Sequence, residues 1–150
     1  EALDNLFGAL RDKDYRYATT WLKSPKKEYK TFHKYEKLET RASYDNIIPL
    51  IRISEMYYII AESTEDPTEA LNAINTVMKN RGLSDYDSSI DLAKVLREEY
   101  QKEFWGEGQL FYYYKRNFTQ KIYCLSLKSE IEMTKAKYML PLPKSETDYH

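Results

Sequence analysis

The sequence predicts a mainly α fold, and three observations carry that reading. A long apolar run over residues 49–61 carries Arg52 and Glu55 three positions apart, on one helical face. A second run opens on Asp66-Pro67-Thr68-Glu69 and closes at Gly82. A third repeats apolar residues at helical spacing until Gly106 and Gly108 interrupt it. The expected architecture is a helix pair plus a broken third helix, behind an extended or hairpin N-terminal segment. Its expected divisions are an extended part over 1–44, a helical part over 45–117 and an irregular tail over 118–150.

Residues 1–44 read as extended or irregular. The stretch Tyr15-Arg16-Tyr17-Ala18-Thr19-Thr20-Trp21-Leu22 is rich in aromatic and β-branched residues. The turn cluster Lys23-Ser24-Pro25-Lys26-Lys27 separates it from Tyr29-Lys30-Thr31-Phe32-His33-Lys34-Tyr35, so the two stretches read as a hairpin.

In the helical part, Pro49 suits a first turn because its missing N–H would be unpaired there anyway. The second helix has an N-cap in Asp66, Pro at its first position and Glu69 three residues after the cap. Ala70, Leu71, Ile74, Val77 and Met78 then form one apolar stripe, and Gly82 suits the left-handed residue that ends a helix. The third helix is expected from Ser88 or Ser89 through Leu92, Val95, Leu96, Tyr100 and Phe104, with a helical continuation over 110–116. Near the end, alternate prolines in Tyr138-Met139-Leu140-Pro141-Leu142-Pro143 favour an extended course.

The helix pair resembles a tetratricopeptide unit, with Ala70, Ile74 and Val77 at the small and apolar positions of that repeat. One copy is visible, and such units need neighbours to cover their faces.

Composition excludes several functions. The 150 residues carry 23 basic and 24 acidic side chains, so bulk positive charge for nucleic acid is absent and no nucleic-acid partner is expected. A single cysteine, Cys124, with only His33 and His150 beside it, leaves no zinc constellation and no intramolecular disulfide. Neither a metal nor another cofactor is expected. No apolar run approaches the roughly 20 residues of a membrane helix. Tyrosine is in excess, at 15 residues against 5 Phe and 2 Trp. Tyr suits cores, interfaces and sugar-stacking surfaces alike.

Glu99, Glu103 and Glu107 recur every four residues, which places three carboxylates along one side of a helix. Paired carboxylates can hydrolyse glycosides, but that reaction needs them on opposite sides of a bound sugar, whereas these project the same way. Ion pairing or solvated charge is the preferred reading, with Arg52, Arg97, Lys102 and Arg116 as partners, and no catalytic residue is assigned. The basic and aromatic alternation over residues 26–35 could suit a single strand of nucleic acid. Glu28, Glu36 and Glu39 dilute it, and a strand face is preferred. Cys124 reads as a small buried residue. Four successive aromatics, Phe111-Tyr112-Tyr113-Tyr114, cannot all hide on one helix face, so at least one should reach a surface or a partner segment.

Four segments in order then resemble one family: Arg52-Ile53-Ser54-Glu55-Met56-Tyr57-Tyr58-Ile59-Ile60-Ala61-Glu62; Ala70-Leu71 with Ile74-Asn75, Met78 and Arg81-Gly82; Glu99, Glu103-Phe104 and Glu107-Gly108 with Lys115-Arg116; and Tyr138, Leu140-Pro141-Leu142-Pro143 and Glu146. Asp14-Tyr15-Arg16 and Lys34-Tyr35 resemble the stretch just upstream. Together they are similar to the C-terminal half of SusD/RagB-type proteins. The sequence departs from that pattern at Tyr100, Leu110 and Tyr113, where relatives usually carry charged residues, so part of their ion-pair network is expected to be replaced by aromatic packing.

The resemblance implies a non-enzymatic protein on the outward face of a bacterial outer membrane, held there by a lipid anchor that lies outside this sequence. It implies an oligosaccharide ligand, or in some relatives a peptide, and a SusC-like TonB-dependent transporter as partner. A chain starting without Met and showing one helix pair is expected to be a piece of a larger protein, although its length alone suits a single domain. Trp21 is the one candidate ligand contact, on the expectation that a hairpin aromatic is exposed. The rival reading is a tetratricopeptide-like scaffold that binds a protein partner.

Overall fold

The computed structural model describes residues 2–35, 49–124, 127 and 129–143. The expectations that concern residues 36–48 and Glu146 lie outside them. The fold is mainly α, with two small two-stranded sheets among the described residues. The chain divides into two compact units, residues 1–103 and 104–150.

The first unit begins with helices, which corrects the extended reading of its N-terminal part. Helix α1 spans Ala2–Phe7, a 3-10 turn follows over Gly8–Leu10, and α2 spans Tyr15–Thr20. The aromatic and β-branched composition of α2 argued for a strand, but Asp14 overrides it. Its carboxylate accepts the Arg16 N–H at 2.9 Å and so caps the helix. Thr19 bonds back to the Tyr15 carbonyl at 2.7 Å, as a helical threonine can. The hairpin is present but short: β1 (Trp21–Lys23) pairs antiparallel with β2 (Lys30–Phe32), Trp21 opposite Phe32.

Helix α3 spans Ile53–Ser63, four residues later than Pro49 suggested, because Arg52 is still extended. Helix α4 spans Pro67–Lys79, and the Asp66 side chain accepts the Thr68 N–H at 2.8 Å. Gly82 has φ of 79°, as its place after α4 required. Its missing side chain matters twice, since a Cβ there would lie 2.7 Å from the Tyr15 ring and 2.8 Å from the Lys13 carbonyl. The bare backbone lets the start of α2 reach the end of α4, where the Tyr15 N–H donates to the Arg81 carbonyl at 3.0 Å.

Helix α5 spans Leu92–Glu103. It starts later than Ser88 or Ser89 because Asp91, not either serine, takes a first-turn N–H, that of Lys94 at 3.1 Å. Ser89 is held instead by Asp87. The apolar faces of α3, α4 and α5 bury Tyr58, Ala61, Ala70, Ile74, Val77, Met78, Leu96 and Tyr100. The Tyr58 and Tyr100 rings meet at 5.2 Å. Each such large apolar side chain contributes about 1.5–3 kcal/mol on burial.

In the second unit, positive φ at Gly106 and Gly108 breaks the helical path before α6, which spans Gln109–Arg116. Glu107 therefore sits in the turn, and the expected row of three carboxylates on one helix reduces to Glu99 and Glu103. Phe118 adopts φ of 45° after α6, where the Thr119 N–H donates back to the Tyr114 carbonyl at 2.9 Å. The tail is more regular than expected. Strand β3 (Lys121–Cys124) pairs antiparallel with β4 (Ser129–Glu132), and a short α7 covers Lys135–Tyr138. The extended course thus begins after Tyr138, at Met139.

Candidate functional site

Helix α5 places Glu99 and Glu103 one turn apart on its buried face, and the sequence around them supplies cations from four other places. Glu99 is fully buried and Glu103 is 4% exposed. An ionised carboxylate in such a place is stable only when paired and hydrogen-bonded. Arg16 meets both. Its Nη2 lies 2.8 Å from Glu99 Oε2 and its Nη1 3.4 Å from Glu103 Oε2. Asp14 holds the other edge of the same guanidinium in a two-pronged contact, at 3.0 Å to Nε and 2.7 Å to Nη2. The N-cap of α2 is thus also the brace of the arginine two residues on.

Lys102 donates to Glu99 Oε1 at 2.8 Å. Arg81, just past α4, grips Glu103 with Nε at 3.1 Å and Nη2 at 2.8 Å. Ser54, in the first turn of α3, donates to Glu103 Oε1 at 3.0 Å, and Arg52 approaches the same oxygen at 3.5 Å. The C-terminal carbonyl of α5, at Glu103, accepts from Lys34 at 2.7 Å and from Arg52 at 3.1 Å, which places cations at the negative end of the helix.

Protonation follows from this geometry. Burial pushes the Glu103 carboxyl upward, but the Arg81 hydrogen bonds and the charges of Arg81, Arg16 and Arg52 outweigh it and hold the group at about 2. Burial likewise works against the Arg16 charge, and Glu99 and Asp14 more than restore it. Burial, then the charge of Glu99, raises the Tyr58 hydroxyl well above its usual range. A carboxylate ionised so far below neutral pH has no proton to give as a general acid.

Of the four partners expected for these carboxylates, Arg52 and Lys102 are in place. Arg97 is exposed, and Arg116 lies 5.6 Å from the Tyr113 ring. Arg16 and Arg81 were missed. Both stood in segments quoted for the family resemblance, but neither spacing nor periodicity connects them to α5.

Beside Glu103 lies a cleft of about 460 Å³, lined by Arg52, Ser54, Tyr57, Thr76, Asn80 and Arg81 among others. The side chains come from the start of α3 and the end of α4, so Glu103, Arg52 and Arg81 form the wall shared by the ion network and the cleft.

Trp21 is elsewhere, and the exposure expected of it is corrected. The residue is 9% exposed, with its ring edge-on to Phe32 at 5.2 Å. The hairpin faces this ring inward because it pairs directly with Phe32. In the basic and aromatic stretch, Lys30 lies 3.5 Å from the Tyr17 ring centroid, so two of its bases, Lys30 and Lys34, are engaged within the chain. Cys124 is half-buried. Tyr112 is the member of the 111–114 run that is clearly exposed, while Tyr113 and Tyr114 are buried.

A family model described as SusD family matches residues 12–139. That range holds the network and the cleft whole. No curated protein and no solved structure matches the chain.

Proposed function

The chain belongs to the SusD family, and from that premise we propose that it binds an oligosaccharide at the bacterial cell surface without cleaving it, as part of a nutrient-uptake complex. The observation that carries this reading is the family match over residues 12–139. SusD proteins act beside a SusC-like TonB-dependent transporter, at the outward face of the outer membrane and on a lipid anchor. We assign this chain the same partner, place and attachment.

The network on α5 argues against hydrolysis by its own carboxylates. Glycoside cleavage needs one carboxyl that keeps its proton near neutral pH. Glu103 is locked as an anion by three arginines, and Glu99 is fully enclosed with Arg16 and Lys102 against it. These groups hold helices together.

A second reading, a tetratricopeptide-like scaffold for a protein partner, draws on the apolar side of α3. Ile53 is 77% exposed, and Met56, Ile59 and Ile60 continue that surface. A glycan array probed with the intact chain separates the two. Saturable binding to a defined oligosaccharide class supports the uptake reading, and no binding across neutral, acidic and sulfated glycans sinks it in favour of the scaffold.

A further inference from the structure

We infer that the cleft between α3 and α4 is a sugar subsite, taking one ring of an oligosaccharide with Tyr57 as its stacking face and Arg81, Asn80 and Thr76 as its hydrogen-bonding rim. This rests on the glycan reading above and adds to it a place.

The size fits, since about 460 Å³ falls in the range of roughly 300–1,000 Å³ typical of small-molecule sites. The chemistry fits as well. A pyranose has an apolar C–H face and an equatorial ring of hydroxyls, each able to donate and accept. Tyr57 supplies a half-buried aromatic wall next to Ile53 and Val77. Thr76 spends its proton on the Asn72 carbonyl at 2.8 Å, which leaves its oxygen as an acceptor. The Asn80 amide nitrogen donates to the Thr76 carbonyl at 2.8 Å and leaves the amide oxygen as a second acceptor.

Arg81 completes the rim as a donor that is already in position. Glu103 takes its Nε and Nη2 and the Asn80 carbonyl takes an Nη1 proton at 3.4 Å. Three of the five N–H groups of a guanidinium are thereby occupied, and two remain on a side chain that is one-quarter exposed. A donor fixed before the ligand arrives loses little conformational freedom on binding. Arg52 and Arg81 line the cleft against the single Glu103 carboxylate, which Arg16 also shares, so the lining carries a net positive charge and excludes neither a neutral nor an acidic sugar.

The test is calorimetric titration of the intact chain with short malto-, xylo- and galacto-oligosaccharides, and with oligogalacturonides as the anionic set. At least one of these sets should bind saturably. For the best ligand, Tyr57→Ala should weaken binding about tenfold, since the lost stacking and burial are together worth about 1.4 kcal/mol. Tyr57→Phe should bind like the parent, Asn80→Ala should weaken binding several-fold, and the exposed-aromatic control Tyr112→Ala should leave it unchanged. Asn80 is exposed, so its variant keeps the test valid if Tyr57→Ala fails to fold. Binding that survives both Tyr57→Ala and Asn80→Ala overturns the subsite while leaving the glycan reading standing. Failure of every oligosaccharide to bind overturns both.

Discussion

The two units of the chain hold their centres together by opposite means. In residues 1–103, Arg16, Asp14, Glu99, Glu103, Arg81 and Lys102 form a buried ionic cluster against an apolar core. In residues 104–150 the centre is aromatic. Tyr138 is buried with Phe111 at 5.9 Å and Phe118 at 6.2 Å, and its hydroxyl donates to the Thr119 carbonyl at 2.6 Å. The ionic cluster is directional and unforgiving, because removing one member strands the others in a poor solvent for charge. The ring cluster is tolerant, since each contact is worth a fraction of a kcal/mol and the Tyr138 hydroxyl that anchors it is neutral. Placing the candidate sugar cleft against the first kind of centre gives it a rigid wall.

The strongest way to break this contrast is Glu103→Ala, which leaves Arg16 and Arg81 facing no carboxylate at that position. It should destabilise the first unit by about 3–5 kcal/mol, read as a lowered urea midpoint. A loss below about 1 kcal/mol would mean the cluster is solvated and the contrast false.

Acid gives the next largest effect. The Glu103 carboxyl titrates near 2 in the folded chain and near the ordinary glutamate value when unfolded. Its contribution, on the order of 3 kcal/mol, is therefore complete above that ordinary value and lost as pH falls towards about 2. Hydrogen exchange should show α5 amides losing protection across that window while α6 amides keep theirs. Equal loss in both helices would contradict the division.

Tyr138→Phe probes the other side. It deletes one hydroxyl and keeps the ring, and should cost about 1 kcal/mol by thermal unfolding. A cost like that of Glu103→Ala would make the aromatic unit as brittle as the ionic one. Smallest is Asp66→Ala, which touches neither cluster, removes the cap of α4 and should cost about 1 kcal/mol or less, seen as a shift in the same urea midpoint.

What the sequence made legible follows the same division. Helix α4 could be read almost to the residue because its signals are local: Asp66, Pro67 and Gly82 lie at its own ends. The pairing of Glu103 with Arg52 could be proposed because both stand in stretches whose sequence reads as helical with clear faces. Arg16 could not, since its partner Glu103 is 87 positions away and its own helix was masked by strand-like composition. One signal was available: Asp14 two residues before Arg16 is an N-cap pattern, and a cap argues for a helix start. The hairpin of β3 and β4 was missed because four-residue strands with a single inward pair, Ile122 opposite Ile131, carry too little alternation to register. The inward turn of Trp21 was hidden for a related reason, because a strand of three residues does not show which face its neighbours cover.

In the proposed function this SusD-family chain binds glycan without cleaving it, and its buried α5 carboxylates are structural. Incubating the intact chain with a polysaccharide that it binds, and measuring new reducing ends over time, tests this most directly. Saturable binding by the parent chain, with no new ends from the parent or from Glu103→Gln, is the expected result. Ends that accumulate in proportion to protein and vanish in Glu103→Gln would contradict it.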